Sequence, residues 1–250
     1  MKKQFIICGW HMNQDSLIDG LNDIQQRDDV DVFWSCHREP TDKIKENFEH
    51  KEFFNGAEEM GAYQQAISYL NLEDDTILFC MHDDMIIHDW EFVEECIKKL
   101  DEGYVVVGNG YNPGHSSNPS EPAFPGWDPS HIIPVGITEE FDNKRRLDYV
   151  YPKNQHYFEG ELPMQHVRVS FMCVRYSDML TIGGFEPRDE AYVSPLDGNY
   201  RDNVGLGSFG NLFPMLTMYK INKVFGWKSI TWLSNSFKGS KYITELFRGG

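Results

Sequence analysis

The stretch "TILFCMHDDMIIHDW", residues 76–90, decides how the rest of the chain is read. "TILFCM" is an apolar run of strand length without polar alternation, the pattern of a strand buried on both faces. It stops abruptly at His82, Asp83 and Asp84, so the first charged groups emerge where the strand leaves the core. Asp89 then stands where a helix cap belongs, because Val93, Cys96, Ile97 and Leu100 repeat at helical spacing behind it. Glu94 with Lys98 and Glu95 with Lys99 fall four apart on the outer face, and the two lysines suit the carboxyl end of that helix.

The same alternation continues on either side. "QFIIC" at 4–8 is a short strand ending at Gly9, followed by Leu17, Ile18, Leu21 and Ile24 at helical spacing, with Asp15 and Ser16 as cap candidates. "DVDVFWSC" at 29–36 is a second strand, "TDKIKENF" a short helix, and Tyr63, Ala66, Ile67 and Leu70 mark one face of a third helix. With "YVVVGNG" at 104–110 the strands and helices alternate over residues 4–108, which predicts a largely parallel sheet covered by helices. In such sheets ligands bind beyond the carboxyl ends of the strands. Six of the twelve prolines then fall between Pro113 and Pro134, and no regular element fits that composition. Order returns with a strand in "HVRVSFMCV" at 166–174 and a short helix in "YSDMLTIGGF" stopped by Gly183 and Gly184, and "GNLFPMLTMYKI" is a further helix candidate.

Composition narrows the classes. A chain of 250 residues with 40% hydrophobic residues can bury its own core and fits one large domain or two small ones. A formal charge of −16 repels nucleic-acid backbones and anionic membrane surfaces, so "NKRR" at 143–146 would act against the global field. No apolar run reaches the roughly 18 residues of a membrane span, and Cys8, Cys36, Cys80, Cys96 and Cys173 show no paired spacing, which predicts reduced core thiols in a cytoplasmic protein. There is no H-E-x-x-H, no Walker-type Gly-rich loop, no G-x-S-x-G elbow and no complete G-x-G-x-x-G, so protease, P-loop, serine-hydrolase and dinucleotide readings lose support.

"DDTILFCMHDDMIIHDWEFVEECIKKL" at 74–100 resembles the strand, acidic motif and helix of nucleotide-sugar glycosyltransferases with the GT-A fold, family 2-like in particular. "VRVSFMCVRYSDMLTIGGFEPR" at 167–188 resembles their acceptor-side strand, helix and Gly-Gly-Phe segment. The resemblance covers roughly 4–108 and 166–220 and implies a Rossmann-like, mostly parallel central sheet with a Pro-rich insertion and a smaller acceptor-side subregion. It divides a single domain into a nucleotide-binding part (1–108), an irregular insertion (109–165) and an acceptor and catalytic part (166–250).

What the resemblance implies for the site follows residue by residue. Asp84 is the expected ligand of Mn²⁺ or Mg²⁺, with Asp83 as a second ligand or a nucleotide contact. His82 stands where the family usually carries an acid, and an imidazole can hydrogen-bond a ribose or ligate a metal without supplying the same charge. Gly9 and Trp10 after the first strand, with Cys8 beside them, and Arg38 between His37 and Glu39 after the second should flank base and ribose, Trp10 by stacking. Gly56 in "FFNGAEEMGAYQQAI" allows close approach of the backbone, and Lys238 and Lys241 in "SNSFKGSKY" offer charge to a diphosphate. Asp202 or Asp197, with Glu190 as a weaker candidate, would be the carboxylate base that activates an acceptor.

The expected activity is transfer of a sugar from a nucleotide-diphosphate donor, UDP-linked by preference, to an acceptor that is a glycan, a small molecule or a modified nucleic-acid base. Two readings compete with it: a non-catalytic nucleotide-sugar or glycan-binding module whose acidic motif has drifted, and a phosphoesterase or nucleotidyltransferase centre, since paired carboxylates bind metals there too.

Overall fold

The structure is a computed structural model that describes residues 1–53, 58–110, 167–185, 217–218, 220–222, 224–226, 229–234 and 240–246. In chain order these form β1 (Lys3–Gly9), α1 (Asp15–Ile24), β2 (Val30–Cys36), α2 (Asp42–Asn47), β3 (Glu49–Glu52), α3 (Glu58–Tyr69), β4 (Ile77–His82) and β5 (Met85–Ile87). They continue with α4 (Phe92–Asp101), β6 (Val106–Gly110), β7 (Val167–Arg175), α5 (Tyr176–Ile182), β8 (Ile230–Ser234) and β9 (Ile243–Glu245).

Seven strands make one sheet in the order β3-β2-β1-β4-β7-β6-β8, and β5 and β9 make a second, two-stranded sheet. In the large sheet β3, β2, β1 and β4 run parallel, as do β6 and β8, while β7 is antiparallel to both of its neighbours. This is the mostly parallel, helix-flanked α/β sheet expected from the sequence, and β7 is its reversal.

Period-two alternation sorts the strand residues onto two faces. Ile6, Leu78, Cys80 and Val174 pack on α3 and α5 through Tyr63, Ala66, Met179 and Ile182. Phe5, Ile7, Trp34, Phe79 and Met81 pack on α1 and α4 through Leu17, Leu21, Phe92 and Cys96. The second face holds an aromatic ladder in which Phe5 stacks on Phe79 at 4.7 Å and Phe92 meets Phe79 and Phe171 edge-on at 6.0 and 5.4 Å. All five cysteines are free and buried, as expected. Burial pushes the Cys36 thiol up to about 12 and that of Cys80 higher still, which keeps both protonated and out of nucleophilic chemistry.

Two glycine positions are dictated by geometry. A bulge falls between Gly108 and Asn109 where β6 meets β7, and a Cβ at Gly108 would lie 2.7 Å from Val167 Cβ and 2.8 Å from the Phe171 carbonyl. Gly183, at φ 79°, ends α5 in the left-handed conformation, the stop predicted by the Gly-Gly-Phe segment. The turn behind it is clamped from two sides: Gln64 Oε1 accepts the Phe185 N–H at 2.8 Å, and the buried Lys220 ammonium donates to the Gly184 carbonyl at 2.9 Å.

Some boundaries differ from the sequence reading. The N-cap of α1 is Gln14 rather than Asp15 or Ser16, and Asp89 acts two residues early, its Oδ1 accepting the Glu91 N–H at 2.9 Å while Glu91 is the N-cap of α4. Strands β3, β5 and β9 carry three or four residues each, too short for a hydrophobic period to reveal.

Candidate functional site

Chain order fixes where a ligand would bind. From β1 the chain crosses to β2 and then β3 on one side, and returns through α3 to β4 on the other side of β1. The carboxyl ends of β1 and β4 therefore flank the point at which the winding reverses, with Cys8 opposite His82 in the register. Such a switch point opens a crevice between the loops that leave the two strands.

Asp83 is the first residue past β4, and it is buried, 2% exposed. Its Oδ2 accepts the backbone N–H groups of Trp10 at 2.8 Å, His11 at 2.5 Å and Met12 at 2.5 Å. Three consecutive amides converging on one anion form a nest, the backbone device that elsewhere holds phosphate. Met12 adopts φ 54°, a left-handed conformation that a non-glycine residue holds only under constraint. Asp83 is thus the internal counter-charge that shapes the loop after β1. The Gly9 Cα packs tightly beneath that loop, since a Cβ there would come within 3.1 Å of Met12 Sδ and 3.3 Å of Cys36 Sγ.

The loop presents Trp10, and the end of β2 presents Arg38, whose guanidinium carbon lies 4.0 Å from the centroid of the Trp10 ring. The pair is a cation–π stack assembled from two strand ends, with a flat and cationic surface. Beside it, His37 donates its N–H to the Gly9 carbonyl at 2.9 Å. Burial lowers the His37 imidazole to about 4, against which a hydrogen bond with Gln65 acts in the opposite direction, so the ring is neutral at physiological pH.

Asp84 points differently from its neighbour. Ligand atoms of His82, Asp84 and Glu245 all lie within 4.8 Å of one another, each residue half-buried. His82 Nδ1 is 3.8 Å from Asp84 Oδ1, and its Nε2 is 3.8 Å from Oε1 of Glu59 at the start of α3. Three carboxylates around one imidazole concentrate negative charge in a partly desolvated place, and a divalent cation relieves it. One nitrogen and two carboxylate oxygens form an open donor set, suited to an ion that also takes oxygens of a bound diphosphate.

Glu245 and Glu59 were not anticipated. Glu245 reaches the site because β9 pairs antiparallel with β5, Met85 opposite Glu245, and the Leu246 N–H donates to the Asp84 carbonyl at 2.9 Å. Lys241 is exposed at the start of that segment, its ammonium 4.5 Å over the Tyr242 ring. Ser240 is buried and accepts the N–H groups of Tyr242 and Ile243 at 3.1 Å each, which starts the strand. Gly56, Lys238, Glu190, Asp197 and Asp202 lie outside the described residues, as do the Pro-rich stretch and "NKRR".

No protein-family model matches the chain, and no curated protein matches it. Among solved structures it is similar to glucosyl-3-phosphoglycerate synthase from Mycobacterium tuberculosis in complex with phosphoglyceric acid, at TM-score 0.45 and 11% identity, over 92% of this chain and 69% of that one. It is likewise similar to residues 1–349 of S. aureus TarS, at TM-score 0.45 and 15% identity, over 94% of this chain and 59% of that one. The chain spans less than two thirds of that TarS chain. No helix among the described residues is long and apolar enough to cross a membrane.

Proposed function

We propose that the chain is a glycosyltransferase that moves a sugar from a nucleotide-diphosphate donor, UDP-linked by preference, to an acceptor with the help of a divalent metal ion. One observation carries this reading: the His82, Asp84 and Glu245 cluster and the Trp10–Arg38 stack stand at the carboxyl ends of neighbouring strands, β4, β1 and β2, where the sheet's winding reverses. A nucleotide diphosphate asks for those two features side by side, a flat cationic surface for a base and a cation site for its phosphates.

The roles follow from the chemistry of each group. Trp10 and Arg38 stack the base, and Gly9 keeps the backbone beneath it close. Asp83 orients the loop that carries Trp10 and takes no direct part in holding the ion. Asp84, Glu245 and His82 hold Mn²⁺ or Mg²⁺, which when bound neutralises charge on the departing diphosphate. Asp202 or Asp197 accepts the proton of the acceptor group. Donor binding falls to residues 1–108 together with Glu245, and acceptor binding to the remainder of 166–250, within one domain.

A panel of nucleotide sugars and nucleoside diphosphates, each with and without Mn²⁺, tests the reading by thermal shift, because a ligand that binds only the folded state raises its melting temperature. A UDP-sugar should raise Tm in the presence of Mn²⁺, with slow release of UDP, and neither effect should survive Asp84→Ala. No shift with any donor overturns the proposal, and release of free phosphate in place of a nucleoside diphosphate redirects it to phosphoester hydrolysis.

A further inference from the structure

The turn from Gly183 to Phe185 is held by two side chains that the donor group does not use. We infer that Lys220 and Gln64 are positioning residues for the transfer step: they fix this turn to α3, so that the chain runs on from Phe185 to its acceptor-side carboxylates from a set point relative to the donor group. The inference rests on the transferase reading and adds two residues to it.

Lys220 is the first indication. The residue is 1% exposed, and its ammonium donates to the Gly184 carbonyl at 2.9 Å. Taking an ammonium out of water is costly, so a buried lysine is a poor route to stability. What it does supply is a charge-assisted bond, stronger than a neutral one, that holds one carbonyl in one direction.

Gln64 closes the turn from the other side. Its Oε1 accepts the Phe185 N–H at 2.8 Å, and a Cβ at Gly184 would lie 2.5 Å from the same oxygen, so the backbone passes where no side chain fits. The fully buried Phe185 ring meets Tyr63, the neighbour of Gln64, at 5.9 Å. A turn that only had to end α5 would be complete with its own bonds, Gly183 N–H to the Leu180 carbonyl at 3.0 Å and Gly184 N–H to the Met179 carbonyl at 2.8 Å. The bonds from Lys220 and Gln64 are additional to those.

Through α3 the turn is referred to the donor group. Glu59, in the first turn of that helix, has Oε1 3.8 Å from His82 Nε2, and Tyr63 donates its hydroxyl to the Val169 carbonyl of β7 at 3.0 Å. Roughly 8 Å of helix rise separates Glu59 from Gln64, a single stiff segment. Beyond Phe185 the sequence carries Glu190, Asp197 and Asp202, the candidates for the base. Proton transfer needs close alignment, and a misplacement of about 1 Å costs on the order of 100-fold in rate.

Kinetics and binding on the full chain test the inference. UDP release from a UDP-sugar with Mn²⁺, water acting as acceptor, gives kcat, and calorimetric titration with UDP and Mn²⁺ gives Kd and the number of folded sites. Lys220→Met and Gln64→Met should each lower kcat per UDP-binding site by at least about 10-fold while Kd for UDP stays within about twofold. Gln64→Glu keeps an acceptor oxygen for the Phe185 N–H and should hold kcat within about threefold of wild type. Gln64 is half-buried, so its variants decide the matter if Lys220→Met does not fold. A clamp that serves stability alone lowers Tm and the number of sites and leaves kcat per site unchanged. That result in either folded Met variant, a Kd that weakens as much as kcat, or a Gln64→Glu rate as low as that of Gln64→Met overturns the inference and leaves the transferase standing. Release of no nucleoside diphosphate by wild type from any donor removes the transferase reading and the inference with it.

Discussion

The two sheets contribute facing sides of one donor group, and they are held by different forces. Asp84 follows β4, the middle strand of a seven-stranded sheet with a packed apolar layer on each face. Glu245 ends β9, half of a two-stranded sheet of three residues per strand. Two-stranded sheets are marginal on their own. This one is anchored by burial of Met85, Tyr242 and Ile243 against the α1 and α4 face, by the His88 N–H to the Tyr242 carbonyl at 2.7 Å, and by His88 Nε2 with Thr244 Oγ1 at 2.9 Å. A rigid half and a lightly held half would let an ion bound as proposed order β9 without disturbing the central sheet.

The largest effect should come from the rigid half. Phe79→Ala removes the ring that stacks on Phe5 and meets Phe92, inside a layer with no solvent access. A loss of about 4 kcal/mol is expected, read as a lower denaturation midpoint with an unchanged slope. A loss under about 1 kcal/mol would break the contrast, because the central sheet would then be no more integral than the small one.

Asp83→Ala comes next. It deletes the acceptor of three backbone N–H groups and releases the constrained Met12, for an expected loss of about 3 kcal/mol. Asp83→Asn keeps an acceptor oxygen and should recover more than half of that. Both variants should weaken nucleotide binding at Trp10 more than they weaken Mn²⁺ binding, whereas Asp84→Ala should do the reverse. If Asp83→Asn abolishes Mn²⁺ binding while Trp10 fluorescence is unchanged, Asp83 is a metal ligand after all.

How far the sequence could foretell this arrangement follows the same division. The central sheet was legible because burial on both faces writes continuous apolar runs such as "TILFCM", and the helices wrote theirs as 3.6-residue stripes. The strand ends were legible too, since Trp10, Arg38, His82 and Asp84 follow apolar runs and stand at or just past the carboxyl ends of β1, β2 and β4. The reversed direction of β7 was not, since a buried strand has the same composition in either direction. Asp83 and Asp84 both read as carboxylates of the site, Asp84 as first ligand and Asp83 as its support, because only tertiary structure tells one pointing into backbone amides from one pointing into a cluster. Glu245 left no signal: a three-residue strand pairing with residues some 160 positions away has no period to detect, and Glu59 reads as an ordinary charge in the first turn of a helix.

Acid should expose a smaller effect at the platform. The His37 ring has a folded-state value near 4 against an ordinary 6.5, with burial as the cause. The unfolded chain therefore binds a proton below pH 6.5 that the folded chain refuses until about pH 4, so stability falls as pH falls through that window and is unaffected by this group above it. Relative to pH 8 the loss attributable to His37 should be about 2 kcal/mol at pH 5. Urea titrations of wild type and His37→Gln at the two pH values measure it as the difference between their pH dependences. Parallel dependences would mean that the ring is solvated and that the crevice beside Trp10 is wetter than its geometry implies.

The smallest effect on stability should be at Glu245, and it is the sharpest test of the comparison. Glu245→Gln keeps shape and hydrogen-bonding capacity while removing one charge from a cluster that repels itself without a cation. Loss of that repulsion offsets any weakened pairing, so global stability without metal should change by less than about 0.5 kcal/mol. Ion binding should respond strongly: the Mn²⁺-induced rise in Tm should largely vanish, because the proposed site loses one of its two carboxylate charges and keeps only a neutral amide oxygen there. Hydrogen exchange locates the cause. In wild type the amides of Ile243 through Glu245 should exchange well before those of β1 and β4, and Mn²⁺ should slow the former and leave the latter unchanged. In Glu245→Gln the ion should no longer slow them. If β9 is instead as protected as β4 before any ion is added, the C-terminal strand is a fixed wall of the site, and its ordering has no part in binding.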